Sequence, residues 1–157
     1  MEPLIGVAYH PYRNELFSAR RGAGAFCNGS PIHVSGRDFA HSLFCTSFSC
    51  YHKEYAHVCA QVLEQVYMQS DDFRRFGSAV VELTALAAGR AELFFEMSLS
   101  PWDHAASRVI IEEAGGCVAD VYDERVDYGR EIAFIAANSR ENLEKLRGII
   151  LAAAPAR

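Results

Sequence analysis

The chain has 157 residues, half of them hydrophobic, which is enough for one ordinary domain with a core of its own. A formal net charge of −5, with no Lys/Arg cluster beyond pairs such as Arg20-Arg21 and Arg74-Arg75, argues against a nucleic-acid surface. No apolar run is long enough to span a membrane and no signal peptide opens the chain, so a cytoplasmic protein without a membrane partner is expected.

Leu4 to Tyr9 reads as a strand, broken by a turn around His10-Pro11-Tyr12-Arg13-Asn14. Glu15 to Ala19 reads as the second arm of that hairpin. The Gly-rich stretch Arg20 to Asn28 leads to Asn28-Gly29, a strong hairpin signal, and Ile32 to Val34 reads as a short strand. This opening segment is antiparallel β. It buries too little to stand alone and calls for a partner, within the chain or from another chain.

The pattern changes near Ser42. Leu43 to Thr46 reads as an apolar strand, and Tyr55, Val58, Cys59, Val62, Leu63 and Val66 mark an amphipathic helix. Asp72 to Phe76 reads as a short strand. Ser78 suits the N-cap of a helix from Ala79 to Ala88, closed by Gly89. Ala91 to Glu96 is the next strand. Ser100 then suits an N-cap, with Pro101 at the first helical position and Gly115 beyond the helix end. In that helix Trp102, Ala105, Ala106, Val109, Ile110 and Ala114 form an apolar stripe. Gly116 to Val121 and Ile132 to Ala137 are two more strands. Asn138 or Ser139 caps a last helix through Ile150, and the tail from Leu151 to Arg157 is expected to fray. Strands alternating with helices predict an α/β (α+β) layered sandwich. The change of pattern divides it into a partial antiparallel sheet over 1–38 and an α/β domain over 39–157.

Two carboxylates meet at the start of the Trp-containing helix. Glu96 ends the run Leu93-Phe94-Phe95, and Asp103 falls in the first helical turn. Strand-to-helix turns at the carboxyl ends of such sheets are where ligands bind. Asp103 is therefore a candidate ligand for a hard cation such as Mg²⁺, which prefers oxygen donors. The alternative is that Asp103 only complements the helix dipole and Glu96 is solvated. Gly77-Ser78-Ala79 stands at a second strand-to-helix junction, whose free amides can hold an anion or a hydroxyl; it could equally be a simple N-cap. The hydroxyls of Thr46 and Ser47 end the strand from Leu43 and either line the same sheet edge or belong to an ordinary polar loop. The six histidines show no metal-ligand spacing, and His104 reads as a surface or supporting group. The Asp71-Asp72 pair before Arg74-Arg75 reads as a solvated turn with local ion pairs. Five scattered cysteines without a C-x-x-C pair read as reduced, buried thiols.

Taken in order, these blocks resemble the inositol monophosphatase family of Mg²⁺-dependent, Li⁺-sensitive sugar phosphatases. The matching stretches are Gly6-Val7-Ala8-Tyr9-His10-Pro11 with Asn14-Glu15-Leu16-Phe17, and Gly22-Ala23-Gly24-Ala25-Phe26-Cys27-Asn28-Gly29. Asp72-Phe73-Arg74-Arg75-Phe76-Gly77-Ser78-Ala79, Ala87-Ala88-Gly89-Arg90 and Phe94-Phe95-Glu96 follow. The most specific are Pro101-Trp102-Asp103-His104-Ala105-Ala106 and Glu113-Ala114-Gly115-Gly116. Ser107 stands where the family usually has Gly.

The resemblance implies the C-terminal portion of the family's αβαβα fold. It implies Asp103 as a catalytic residue and ligand of a second metal, Glu96 as a partner of substrate hydroxyls, and Gly77, Ser78 and Ala79 against the sugar or inositol ring, with Thr46 and Ser47 nearby. The implied reaction is Mg²⁺-dependent hydrolysis of inositol or sugar phosphomonoesters. The family's other metal ligands lie in a Gly-Glu-Glu type motif and in Asp-Pro-x-Asp-Gly-Thr, and neither occurs in this sequence. The expectation is thus a truncated reading frame, a fragment or a split subunit, feeble as a phosphatase alone, that works as a homodimer or with a complementing N-terminal half. The competing expectations are a non-catalytic sugar-phosphate-binding or assembly module of the same ancestry, and a structural remnant with no ligand.

Overall fold

A computed structural model describes residues 2–123 and 125–154. The first sheet is antiparallel and follows chain order: β1 (Ile5–His10), β2 (Glu15–Arg20), β3 (Ala25–Cys27) and β4 (Ser30–Ile32). The second sheet contains β5 (Leu43–Thr46), β6 (Asp72–Arg74), β7 (Leu93–Leu99), β8 (Cys117–Asp120) and β9 (Ile132–Ala137), in the order β6-β5-β7-β9-β8. β5 pairs in parallel with β6 and β7, while β9 runs antiparallel to β7 and β8. The helices are α1 (Ala56–Tyr67), α2 (Ala79–Ala87), α3 (Pro101–Glu113) and α4 (Arg140–Ala153).

Packing follows from which faces are apolar. Phe17 and Ala19 of the first sheet meet Leu83 and Leu86 of α2 and Val109 and Ile110 of α3. The far side of those helices meets Phe94 and Phe134 of the second sheet. The other face of that sheet, with Phe44, Leu93, Phe95 and Ile135, packs on Val62 of α1 and Leu143 of α4. The layers therefore run sheet, α2 and α3, sheet, α1 and α4, the α+β layered fold expected from the sequence. β9 is buried at every position because both of its faces are covered.

Several boundaries differ from the sequence reading. Asn28 and Gly29 make the expected hairpin with φ of 50° and 79°, but β4 ends at Ile32. Val34 instead donates its N–H to the carbonyl of Ala114 at 3.1 Å, so the chain leaves the sheet to pin the end of α3. β6 stops at Arg74, where the chain turns toward Gly77. Leu151, Ala152 and Ala153 continue α4, with Leu151 exposed on the same side as Glu144 and Gly148; residues 155–157 of the tail lie outside the described residues. Trp102 is not part of the core stripe and stands 79 % exposed. His104, read as a surface or supporting group, is fully buried and stacks on Phe134 with ring centroids 4.9 Å apart. Neither of its ring nitrogens has a hydrogen-bond partner among the described residues, and burial pushes its pKa down to about 4. Cys45 and Cys59 are buried as expected, whereas Cys27 and Cys117 are half-buried and Cys50 is exposed. Asp72 pairs with Arg74, the local ion pair anticipated at that turn.

Gly6 sets the spacing between the first two layers. A Cβ there would meet the carbonyl oxygen of Ala106 in α3 at 2.3 Å. Gly6→Ala should therefore cost about 1–3 kcal/mol, since the layers must separate to admit the methyl group. Urea unfolding measures this; an unchanged midpoint would show that the layers are not in backbone contact.

Candidate functional site

β5 and β7 are parallel, so their carboxyl ends lie on one edge of the second sheet. β9 is antiparallel to β7 and brings the residue before its start, Glu131, to that same edge. α2 and α3 both begin there. The result is a cleft of about 540 Å³ lined by Ser47, Gly77, Ser78, Ala79, Glu96 and Asp103 of the sequence-derived set. Thr46 is the member of that set absent from the lining. It is buried, and its hydroxyl donates to the carbonyl of Phe95 at 3.0 Å, tying β5 to β7.

The start of α2 is built by a charge the sequence reading missed. Gly77 turns the chain with φ of 80°, and Ser78 takes the extended N-cap conformation. The Ser78 hydroxyl makes no capping bond, so it is available to the cleft. Glu82 instead ties down the turn before the helix, its Oε1 accepting from the amides of Phe76 at 2.6 Å and Gly77 at 3.1 Å. Glu82 is 1 % exposed. Burial raises its pKa and the two amides oppose that rise. A lone acid inside the apolar run Ala79-Val80-Val81-Glu82-Leu83 is the signal that could have found it.

Glu96 and Asp103 face the cleft from β7 and α3. Burial is the main cause that lifts Glu96 to a pKa of about 7. The Ser47 hydroxyl bonds to it and lowers the value, while the negative charges of Glu82 and Asp103 raise it. Asp103 is also raised, first by burial and then by the nearby charge of Glu131, against the opposing bond from the Ser100 amide. Glu131 is itself well held. Ser98 donates to it at 2.5 Å, Ser100 donates at 3.1 Å, and Nε2 of His52 lies 3.3 Å away. These bonds keep its pKa below the usual carboxylate range. Arg75 lines the cleft as the nearby guanidinium, and its charge lowers both Glu82 and Glu96. Glu131, His52 and Arg75 carry no local sequence signal, because only the sheet topology brings them to this edge.

The donors of the cleft suit hydroxyls and a single face of a hard cation. They do not make a magnesium site alone: among the described residues no group of three or more His, Cys, Asp or Glu side chains is placed to hold a metal ion. Asp103 supplies one carboxylate, and Glu131 is engaged by two serines and a histidine.

An acid whose folded pKa lies above its unfolded value stabilises the fold at low pH and loses that contribution as pH rises through the folded value. For Glu96 the window runs from about 4.5 to about 7. Glu96→Gln should therefore be more stable than the unaltered chain at pH 8, by about 1–3 kcal/mol, with the gap shrinking toward pH 5. Thermal unfolding across that range checks this; a gap independent of pH would count against the buried charge.

The sequence matches the family model described as the inositol monophosphatase family over residues 1–153. It is 43% identical over 117 residues to the Nus factor SuhB of Salmonella typhimurium, which covers 74% of this chain and 44% of that protein. It is 40% identical over 147 residues to the Nus factor SuhB of Haemophilus influenzae, covering 91% of this chain and 55% of that protein. The chain thus spans about half the length of the curated relatives it matches. Among solved structures, an inositol monophosphatase from Anabaena (Nostoc) superposes with a TM-score of 0.87 at 29% identity, covering 98% of this chain and 63% of that one. The extragenic suppressor protein suhB from Bartonella henselae gives a TM-score of 0.85 at 32% identity, covering 95% of this chain and 57% of that one. Sequence and fold agree, and the chain belongs to the inositol monophosphatase family.

Proposed function

We propose that the cleft binds a phosphorylated polyol or sugar, and that the chain is the substrate-binding half of a Mg²⁺-dependent phosphomonoesterase that is feeble by itself. The observation that carries this reading is the meeting of Glu96, Asp103 and the Gly77-Ser78 helix start in one cleft. Each group has a task suited to its surroundings. Glu96, poised near neutrality, accepts from or donates to ring hydroxyls. The unbonded Ser78 hydroxyl and the free amides at the start of α2 hold a further oxygen of the ligand. Arg75 offsets the charge of a phosphoryl group. Asp103 contributes one ligand to a metal site whose remaining ligands lie outside the described residues, which offer no complete set.

Two measurements test the reading. Inositol monophosphate should bind the unaltered chain, and Glu96→Gln should weaken binding about tenfold, the loss of one hydrogen bond to a charged group. Hydrolysis with Mg²⁺ at neutral pH should be barely above background, and Asp103→Asn should remove what remains. Ordinary turnover by the isolated chain would overturn the claim of an incomplete metal site, and absence of binding would overturn the assignment of the cleft.

A second reading has its own support. The relatives are named as factors rather than as enzymes, which favours a non-catalytic binding or assembly module built on the same cleft. It expects the same ligand to bind with no dependence on Mg²⁺.

A further inference from the structure

We infer that the cleft selects a phosphomonoester that also carries an ammonium group, as an amino sugar phosphate does. Glu131, Ser98 and Ser100 form the wall that receives the ammonium. The inference rests on the proposed binding of a phosphorylated polyol or sugar and names the kind of sugar. Sheet order separates the two ends of the cleft. β6 leads into Arg75 and the Gly77-Ser78 turn, and β9 begins just after Glu131. The order β6-β5-β7-β9-β8 sets them on opposite sides of β7, which carries Glu96 between them. The charges agree, since Arg75 acts on Glu96 and Glu131 acts on Asp103.

Donors gather at one end, where Arg75, the unbonded Ser78 hydroxyl and the first amides of α2 suit an anion. At the other end the donors are spent. Ser98 donates to Oε2 of Glu131 at 2.5 Å and Ser100 donates to Oε1 at 3.1 Å, so each hydroxyl has only lone pairs left to offer. His52 has Nε2 3.3 Å from Glu131 and Nδ1 3.1 Å from Glu54, so both ring nitrogens face carboxylates. At the start of α3 the Ser100 amide is taken by Asp103, and Pro101 has no N–H. The serine bonds hold the pKa of Glu131 below the usual carboxylate range, which makes it a fixed negative charge on the cleft wall. Ser49 supplies an independent sign. It is 3% exposed, lines the cleft, and its hydroxyl has no hydrogen-bond partner among the described residues. The His52 amide donates to the Ser49 carbonyl at 2.8 Å, which keeps Ser49 at the same end. A wall of acceptors around a fixed carboxylate is completed by a group with several donors and a positive charge. A ring hydroxyl brings one donor, whereas an ammonium brings three and the charge.

Calorimetric binding of glucose 6-phosphate, glucosamine 6-phosphate and N-acetylglucosamine 6-phosphate to the full chain, at slightly acid pH where the amine is charged, tests this. Glucosamine 6-phosphate should bind about tenfold more tightly than glucose 6-phosphate, the effect of a hydrogen bond between charged groups. The N-acetyl compound, which keeps the nitrogen without the charge, should gain nothing. Glu131→Gln should erase the preference without weakening glucose 6-phosphate, and added salt should narrow it in the unaltered chain. Equal binding of the glucose and glucosamine compounds overturns the inference and leaves the phosphorylated-polyol reading standing. Binding of none of the three overturns both. An equal gain with the N-acetyl compound, or a preference that survives in a folded Glu131→Gln variant, also overturns the inference. Loss of the preference on adding Mg²⁺ assigns the wall to the metal and overturns it equally. If Glu131→Gln does not fold by circular dichroism, the three-ligand comparison on the unaltered chain decides alone.

Discussion

The first sheet and α3 approach until their backbones touch at Gly6, where a methyl group would find the Ala106 carbonyl at 2.3 Å. A second close approach lies at the other end of α3, where a Cβ on Gly116 would meet Ile111 at 2.7 Å and the Ala137 carbonyl at 3.0 Å. Glu113 adds a polar tie, accepting the amides of Gly22 and Gly24 at 2.8 Å each. α3 is thus fixed at its middle and at its C-terminal end between two sheets. Its first turn, with Asp103, inherits that position. The chemistry of the cleft depends on this immobility, because a carboxylate can hold a ligand only if its own backbone does not move with it.

Four carboxylates converge on the cleft, and their burial has to be offset group by group. Glu82 is satisfied by the Phe76 and Gly77 amides, and Glu131 by Ser98, Ser100 and His52. Glu96 has the Ser47 hydroxyl, and Asp103 the Ser100 amide. The well-bonded pair forms walls. Burial raises the proton affinity of Glu82, Glu96 and Asp103 alike, and of these the sparsely bonded Glu96 and Asp103 keep carboxylate oxygens open to a ligand. This division explains why Glu82, despite its depth, is part of the frame rather than a contact.

Most of the layer order was legible in the sequence because it rests on local signals. Ser100-Pro101 and Gly115 bracket α3, and Asn28-Gly29 makes the hairpin their side chains demand. Asp103 was legible because it falls in the first turn of α3, and Glu96 because it follows the apolar run Leu93-Phe94-Phe95, although β7 continues past it to Leu99. Glu131 and His52 were not, since no spacing along the chain encodes the antiparallel return of β9 that carries Glu131 to the cleft. His104 and Trp102 were exchanged for a related reason. The helical stripe fixes which side of α3 is apolar, but α3 is covered on two sides, and the buried arc extends to His104 while the first turn projects Trp102 past the sheet edge. Thr46 lies deeper than expected because the β5–β7 ladder uses its hydroxyl.

Trp102 is the single tryptophan of the chain, and it stands on the rim of the cleft beside Asp103. Its indole is in water, while the aromatic groups of the two cores are phenylalanines. The ultraviolet emission of this protein excited at the red edge therefore comes from the mouth of the cleft alone. It is a native optical probe that sees an arriving ligand and is blind to the packed interior.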